Sequence, residues 1–296
     1  NNTAAMNGGG LVVGKDVIAN IHHSEIAHNF TNSETSWGGG VWSWGDLTLI
    51  NSNIHHNSAG LAGGVLATGT ADIVDSKIYD NYAEQNGGGL FLSQRTLAGT
   101  VDYGDFRVNS SYIWQNSSKG AGGGIAVTSR AVIENSIISR NSSGDAGGAI
   151  FSYLNGELNL FGNTIVENSA TNFGGAVLRI DEINVNVANN IFSDNTANIN
   201  PDISGNVTSL GHNYISNIGF HENDGWLVSD IYGTTTEPIS ANLSYSEETG
   251  YPIYYPKLGT KIIDRGSNFY SSSEDALAVS REANITTGFQ YTTDHA

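Results

Sequence analysis

The stretch SIISRNSSGDAGGAI (residues 136–150) contains both halves of a repeat that organises most of the chain. The first half reads small polar–x–apolar–x–x–Asn, and its asparagines lie 24 to 35 residues apart. The second half is a glycine-rich group followed by an aliphatic residue. A near-constant period of this length is typical of a solenoid, in which each repeat forms one coil and buries its apolar side against its neighbours. The first half occurs at 24–29, 52–57, 76–81, 111–116, 136–141, 163–168 and 190–195, and the second at 8–11, 38–41, 63–65, 87–90, 122–125, 147–150 and 174–177.

Short runs of alternating apolar and polar residues connect these phrases. Examples are ADIV (71–74) and AVIE (131–134). Alternation with a period of two predicts strands, and no helical spacing is sustained. We therefore predict an all-β fold, a right-handed single-stranded parallel β-helix of about 7–8 coils with two or three strands in each coil. It should occupy residues 1–217, followed by an irregular capping or packing segment over 218–296.

The repeated columns are expected to serve the scaffold. Asparagine tolerates the left-handed conformation of sharp corners, and its amide can donate and accept from coil to coil. Glycine supplies positive φ at the opposite corner. The small polar residue that begins each first half predicts a second ladder. The loop Gly9-x4-Gly14-Lys15 resembles a phosphate-binding loop, but Asp16 stands where Mg²⁺ coordination needs Ser or Thr, so we assign these glycines to the repeat.

Composition excludes several classes of partner. The chain has 12 Lys+Arg against 29 Asp+Glu, a formal net charge of −17, and no cysteine. Nucleic acid and anionic membrane surfaces both require a basic surface, so neither is an expected partner. Disulfides and thiolate metal sites are excluded, and no apolar run is long enough to span a bilayer. The first glycine repeat begins without a capping segment, so we expect either a fragment of a longer protein or a subunit that stacks.

The repeats resemble a known family. GGAI (147–150), GGAV (174–177) and FSDN (192–195) match the GGA[ILV] and FxxN phrases of the chlamydial polymorphic outer-membrane protein repeat. The resemblance covers about residues 1–217, with Ile replacing Phe in the other coils. It implies a β-helical passenger of an autotransporter adhesin, and so an extracellular, secreted or cell-surface location.

The tail carries a second resemblance. SLGHNYISN (209–217) and the later LGTKIIDRGSN (258–268) are similar to the segments that close secreted bacterial β-helix proteins of the choice-of-anchor type. The terminal anchoring segment of that family is not recognisable here. Surface attachment is therefore implied by the resemblance alone.

Aromatic side chains form the most informative variable column. The residue after each repeat's aliphatic residue should point outward, which places Trp42, Phe91 and Phe151 on one face, with Trp44 and Tyr153 two residues further on. Soluble proteins seldom leave such a stripe bare. One hypothesis is that sugar rings stack on these five residues. The other, which we favour, is that the tail packs over them.

Histidines form a second candidate site. His28, His56 and Asp80 each precede a ladder asparagine, so coil stacking should place them in one outward column. At the spacing of neighbouring strands, two of these side chains could share a divalent metal ion. The alternative is a solvated corner, because the column continues with Gln115 and Arg140. We predict no cofactor, with Ca²⁺ or another divalent cation as the alternative.

No catalytic motif is present, and we assign no catalytic residue. The long fourth repeat carries an insertion at about 94–105, and insertions in solenoids often bear function. The candidates for a lyase or hydrolase site are Arg95, Asp102, Tyr103, Asp105 and Arg107 in and beside this insertion, together with Asp80 and Asp194.

Three functional hypotheses follow. The leading one is a non-catalytic extracellular, adhesin-like module that binds carbohydrate or a cell-surface ligand. The second is a carbohydrate-active enzyme of the β-helix type, a polysaccharide lyase or glycoside hydrolase. The third is a self-assembling fibre subunit.

Overall fold

A computed structural model gives the fold, and it describes residues 2–257 except 98, 155–156, 182–183, 220–224 and 247–249. Within these ranges the chain forms strands, turns and bends, and no helix. Four parallel sheets run along the molecule, and a typical coil contributes one strand to each. The predicted parallel β-solenoid is confirmed, with about eight turns.

Sheets I and II follow the glycine phrase in each coil. The strands of sheet I are Leu11–Val13, Val41–Ser43, Val65–Ala67, Leu90–Leu92, Ile125–Val127, Ile150–Ser152, Val177–Arg179 and Ile203–Ser204. The strands of sheet II are Ile18–His22, Asp46–Ile50, Ala71–Val74, Asp105–Asn109, Arg130–Glu134, Glu157–Phe161, Asn184–Ala188 and Thr208–Gly211.

Sheets III and IV flank the ladder asparagines. The strands of sheet III are Glu25–Ala27, Asn53–His55, Lys77–Tyr79, Tyr112–Trp114, Ile137–Ser139, Thr164–Val166, Ile191–Ser193, Tyr214–Ile215 and Ile231–Tyr232. The strands of sheet IV are two residues long: Thr3–Ala4, Phe30–Thr31, Ser58–Ala59, Tyr82–Ala83, Ser117–Ser118, Ser142–Ser143 and Ser169–Ala170. The sequence predicted two or three strands per coil, because the two-residue strands of sheet IV could not be distinguished from turns.

The core lies inside the coil. The apolar residue of each first-half phrase points inward and stacks on its equivalents in the coils above and below, because the strands pair in register. Equivalent positions of sheets I and II complete one continuous apolar cluster. The sheet III column consists of Ile54, Ile78, Ile113, Ile138, Ile165 and Phe192, each fully buried.

Both predicted ladders are present. The amide of Asn116 donates to Oδ1 of Asn141 at 3.0 Å, and Asn116 accepts at its own Oδ1 from Asn81 at 3.0 Å. Each ladder backbone N–H also donates to the Oδ1 of the next coil, so every described step carries two hydrogen bonds. In the serine ladder, the backbone N–H of Ser76 donates to Oγ of Ser111 at 3.1 Å.

The corner geometry differs from the prediction in one respect. Positive φ falls on the residue before each ladder asparagine and not on the asparagine itself. The ladder amide must face the next coil to form its hydrogen bonds, so the preceding residue makes the sharp turn. These residues have φ of 51° to 57° and are His28, His56, Asp80, Gln115, Arg140, Glu167 and Asp194. On the glycine side, the predicted positive φ is confirmed at the first glycine of the phrase, for example Gly87 at 72°.

Among the residues described, two hairpins depart from the coil. The insertion in the fourth repeat forms an antiparallel pair, Arg95–Leu97 with Thr100–Asp102. In the tail, Leu243–Ser246 pairs antiparallel with Ile253–Pro256. The tail also adds Ile231–Tyr232 to the end of sheet III, so the chain after residue 217 continues one sheet of the solenoid before it becomes irregular. The predicted division at 217/218 stays a prediction.

Candidate functional site

The aromatic stripe lies on the outer face of sheet I, where the sequence placed it. Trp42 pairs with Leu66, Leu66 with Phe91, and the column continues in unbroken parallel register to Phe151. The column is therefore confirmed as one face of the scaffold.

Most of this face is covered. Phe91 is 5% exposed and Phe151 is 9% exposed. Small apolar residues of the loops that precede sheet I pack against them, and Tyr153 stacks on Phe151 with ring centroids 4.6 Å apart. Burial also raises the pKa of the Tyr153 hydroxyl, against a hydrogen bond with Asn86 that lowers it. The bare stripe considered from the sequence does not exist at Phe91 and Phe151, which belong to two small apolar clusters outside the sheet, with Tyr153 packed against both.

The described part of the tail does not provide this cover. Its aromatic residues Tyr251 and Tyr254 pack on the outer face of sheet III, against Tyr112 and its neighbours. The rings of Tyr112 and Tyr251 have centroids 4.4 Å apart, and Lys77 lies 4.1 Å above the Tyr251 ring. The hypothesis that the tail covers the stripe is thus not met by residues 225–257, and residues 258–296 lie outside the described ranges.

Three tryptophans remain accessible at the N-terminal end of the stripe. Trp37 is 40% exposed and Trp44 is 39% exposed, with the half-buried Trp42 between them. Ring centroids are 5.9 Å apart from Trp37 to Trp42 and 5.8 Å apart from Trp42 to Trp44. We call Trp37, Trp42 and Trp44 the tryptophan platform. Sequence reasoning missed Trp37, although its position immediately before a glycine phrase placed it on the loop that borders sheet I.

Two further contacts shape the platform. The indole Nε1 of Trp42 is buried without a hydrogen-bond partner among the described residues. A buried N–H of this kind is costly to leave unpaired. The guanidinium of Arg95 donates to the backbone oxygen of Trp44 at 2.9 Å, which brings the insertion hairpin beside the platform.

Two of the seven catalytic candidates line a groove on the outer face of sheet II. This groove has a volume of about 410 Å³ and contains Asp105 and Arg107 of the predicted set, but not Asp80 or Asp194. Its cations are neutralised: Arg107 lies 3.5 Å from Asp72 and 2.9 Å from Glu134. Arg130 lies 3.3 Å from Asp105. In the hairpin, Arg95 and Asp102 also pair with each other, at 2.7 Å. Because its arginines are already paired with carboxylates, this groove is poorly suited to bind an anionic polysaccharide.

The phosphate-loop resemblance has a structural explanation. The backbone N–H groups of Gly9 and Gly10 donate to carbonyl oxygens of the next coil. A Cβ built on Gly9 would lie 2.4 Å from the oxygen of Gly39. These glycines therefore serve coil packing, and their amides are not directed at a ligand.

The histidine corner brings together more groups than the sequence predicted. The rings of His28 and His56 have centroids 4.8 Å apart and are tilted by 34°, and Nε2 of His56 lies 3.8 Å from Asp80 Oδ2. The predicted column is thus confirmed. His55 joins it from the end of its strand, with Nδ1 only 2.8 Å from Nδ1 of His56. Glu25 in the neighbouring coil accepts from His55 Nε2 at 2.9 Å.

His55 is held rigidly. It is 7% exposed, and its ring stacks on Tyr79, with centroids 4.6 Å apart and planes 12° apart. Tyr79 in turn stacks on Trp114 at 4.3 Å. Burial, opposed by the hydrogen bond that His55 donates to Glu25, lowers the pKa of His55 below its usual value. Its ring is therefore neutral near pH 7, so one nitrogen donates and the other accepts.

Comparisons with known proteins add no family assignment. The chain matches no protein-family model, and no curated protein or solved structure matches it significantly. Over the residues that the structure describes, no helix is long and apolar enough to cross a membrane. Function must therefore be argued from the surfaces described above.

Proposed function

We propose that this chain is a non-catalytic, extracellular, adhesin-like β-solenoid module that binds a neutral carbohydrate on the tryptophan platform. The observation that carries the proposal is the pair of indoles, Trp37 and Trp44, that stay about two-fifths exposed on either side of Trp42. Contiguous exposed apolar surface marks an interaction site more often than a structural one.

The chemistry of the platform suits a sugar. Flat indole faces contact the C–H faces of a pyranose ring, and the indole N–H can serve as a polar handle. A formal net charge of −17 disfavours an anionic glycan, so we propose a neutral one.

The extracellular assignment rests on the repeat resemblance. Within that resemblance, Phe192 of the FxxN phrase fills the core and Asn195 belongs to the ladder, which gives both residues of the phrase a structural role. The family's adhesin function comes to this chain only through that likeness.

Glycan binding by variants tests the proposal. Trp44→Ala and Trp37→Ala should each weaken binding to a neutral glycan found on an array by about tenfold or more, as expected for a central tryptophan of an interface. Phe173→Ala is the matched control, because Phe173 is also 40% exposed but lies at the other end of the solenoid. Equal losses in all three variants, or no loss at the tryptophans, would contradict the platform.

An assay of product release distinguishes the non-catalytic binding module from a carbohydrate-active enzyme. The protein should release neither reducing ends nor unsaturated sugars from a panel of neutral and acidic polysaccharides. Release of either product, lost on substitution of Asp105 in the sheet II groove, would replace the proposed function with a hydrolase or a lyase.

A further inference from the structure

The histidine corner has the composition of a metal centre. One ring nitrogen from each of His28, His55 and His56 can be chosen so that all three lie within 4.8 Å of one another. Imidazole nitrogen is a preferred ligand of Zn²⁺ and other borderline divalent ions. Two nitrogens bound to one tetrahedral Zn²⁺ are about 3.3 Å apart, given Zn–N bonds of about 2.0–2.1 Å. Binding of such an ion would require the Nδ1 atoms of His55 and His56, now 2.8 Å apart, to separate slightly and the exposed His28 ring to adjust.

Nδ1 of His55 and Nδ1 of His56 face each other, so a proton or a cation must lie between them, because two nitrogen lone pairs at this distance would repel each other. Nε2 of His55 faces the Glu25 carboxylate, which only accepts, so this nitrogen carries a proton and Nδ1 is the nitrogen left to present a lone pair. That lone pair points at Nδ1 of His56, 2.8 Å away. Nε2 of His56 lies near Asp80, which likewise favours a proton at that position. Without a cation the two Nδ1 atoms share one proton in this contact, and a cation that displaced the proton would meet both lone pairs.

The surroundings repeat a known arrangement around metal ligands. A ligating histidine usually donates its other ring N–H to a carboxylate, which fixes the tautomer and the ring orientation. His55 has such a partner in Glu25 at 2.9 Å, whereas Asp80 lies 3.8 Å from His56 Nε2, beyond hydrogen-bond distance. The stack of His55 on Tyr79 further fixes the ring before any ion arrives. The Glu25 hydrogen bond and the Tyr79 stack are observations separate from the closeness of the three rings, and they too favour a metal ion at this corner.

We propose that His28, His55 and His56 bind one borderline divalent transition-metal ion, of the Zn²⁺ type, through imidazole nitrogens. His28 belongs to the first complete coil and the other two residues to the second, so the ion links two neighbouring coils. With three protein nitrogens, a fourth coordination position is left for water or for an oxygen of a ligand. The proposal does not depend on carbohydrate binding.

Titration calorimetry with Zn²⁺ on the full chain, after treatment with a chelator, tests the site. We expect one ion per chain. His55→Phe keeps the ring that stacks on Tyr79 but removes both nitrogens, and His28→Asn keeps a residue that tolerates the φ of 57° at that position. Each should weaken Zn²⁺ binding by at least tenfold. Glu25→Gln should weaken it about 10–100-fold, since it removes only the orienting carboxylate.

The control is the double variant His22→Asn, His23→Asn, which removes two exposed histidines of the same coil outside the cluster. It should bind Zn²⁺ as the parent does. Absorption of bound Co²⁺ gives a second readout, because nitrogen ligands in a tetrahedral arrangement produce an intense visible band that His55→Phe should abolish. The proposal is overturned if no stoichiometric binding occurs, or if binding survives His28→Asn and His55→Phe, or is lost instead in the control. His28 is exposed, so the His28→Asn result does not depend on an intact core.

Discussion

Asn195 donates a side-chain N–H to Oδ1 of Asp202 at 2.8 Å, so the asparagine ladder ends on a carboxyl group. The other carboxyl oxygen accepts the backbone N–H of Asn217 at 2.7 Å. Asp202 is completely buried. Burial raises its pKa from 3.8 to about 7, although the hydrogen bonds from Asn195 and Asn217 lower it.

This carboxyl makes stability depend on pH. Because the folded pKa is raised, the folded state holds a proton that the unfolded chain releases above about pH 4. The contribution of Asp202 is fully present below pH 4 and is lost as pH rises towards 7, by on the order of 4 kcal/mol. Urea midpoints at pH 4.5 and pH 7.5 check this. Asp202→Asn should reduce the difference between the two midpoints, and an unchanged difference would assign it to other groups.

The ladder itself should be expensive to interrupt. Asn116 is fully buried, donates to Asn141 and to the backbone oxygen of Ile78, and accepts two bonds from Asn81. Asn116→Ala leaves several buried groups unpaired and should lower the free energy of unfolding by about 3 kcal/mol. The control Asn20→Ala changes an exposed asparagine of sheet II and should change it by less than about 0.5 kcal/mol. Equal effects in urea titrations would mean that the ladder does not stabilise the fold.

The middle glycines of the repeat are required for close backbone approach. A Cβ on Gly88 would lie 2.3 Å from the oxygen of Gly123, whereas a Cβ on Gly14 would meet nothing nearer than a Val17 methyl at 3.7 Å. Gly88→Ala should therefore destabilise the protein by about 3 kcal/mol or more, and Gly14→Ala by less than about 0.5 kcal/mol. Thermal unfolding of the two variants provides the comparison, and similar melting temperatures would refute it.

The two ends of the aromatic stripe should respond differently to truncation. Phe151→Ala removes a ring that is 9% exposed and should cost about 3 kcal/mol of stability. Trp44→Ala removes a ring that is 39% exposed and should cost less than about 1 kcal/mol. Urea unfolding curves measure both effects. A large loss for Trp44→Ala would show that Trp44 is structural and would weaken its role in the platform.

The tail should be released when its contact with the fifth coil is removed. Arg140 lies 3.7 Å above the Tyr245 ring and pairs with Glu167 at 2.7 Å, and Glu167 also accepts from the Tyr254 hydroxyl. Arg140→Asn suits the positive φ at this position and should speed proteolytic cleavage within residues 241–257 several-fold. Arg130→Asn, which removes an exposed ion pair of sheet II, is the control. Cleavage at the parent rate in Arg140→Asn would contradict this role.

The sequence predicted the columns well but not the contacts that cross between them. A parallel register places equivalent residues side by side, so His28, His56 and Asp80 could be aligned from the repeat alone. Glu25 pairs with Asn53 and reaches His55 diagonally, two residues further along the neighbouring strand. Spacing within one repeat does not show such a contact, and the sequence therefore missed two of the groups that define the corner.

Exposure on the outer faces depends on the connections between coils. By alternation, Phe91 and Trp42 both point out of sheet I, yet only the tryptophan end of the stripe remains accessible. Whether an outward ring is buried depends on the loop that folds over it. The residue just before the glycine phrase differs between coils, for example Trp37 in one coil and Ala121 and Ala146 in two others.

The sequence by itself determined the solenoid, its core and its two ladders, because each is a column that repeats with the coil and stacks by the spacing of parallel strands. Only the tertiary structure decided which outward residues are free to bind. The physical reason is that burial and diagonal contacts depend on loops and on the tail, which pack across the columns. These tertiary contacts leave the tryptophan platform accessible, and they bring His55 and Glu25 to the histidine corner.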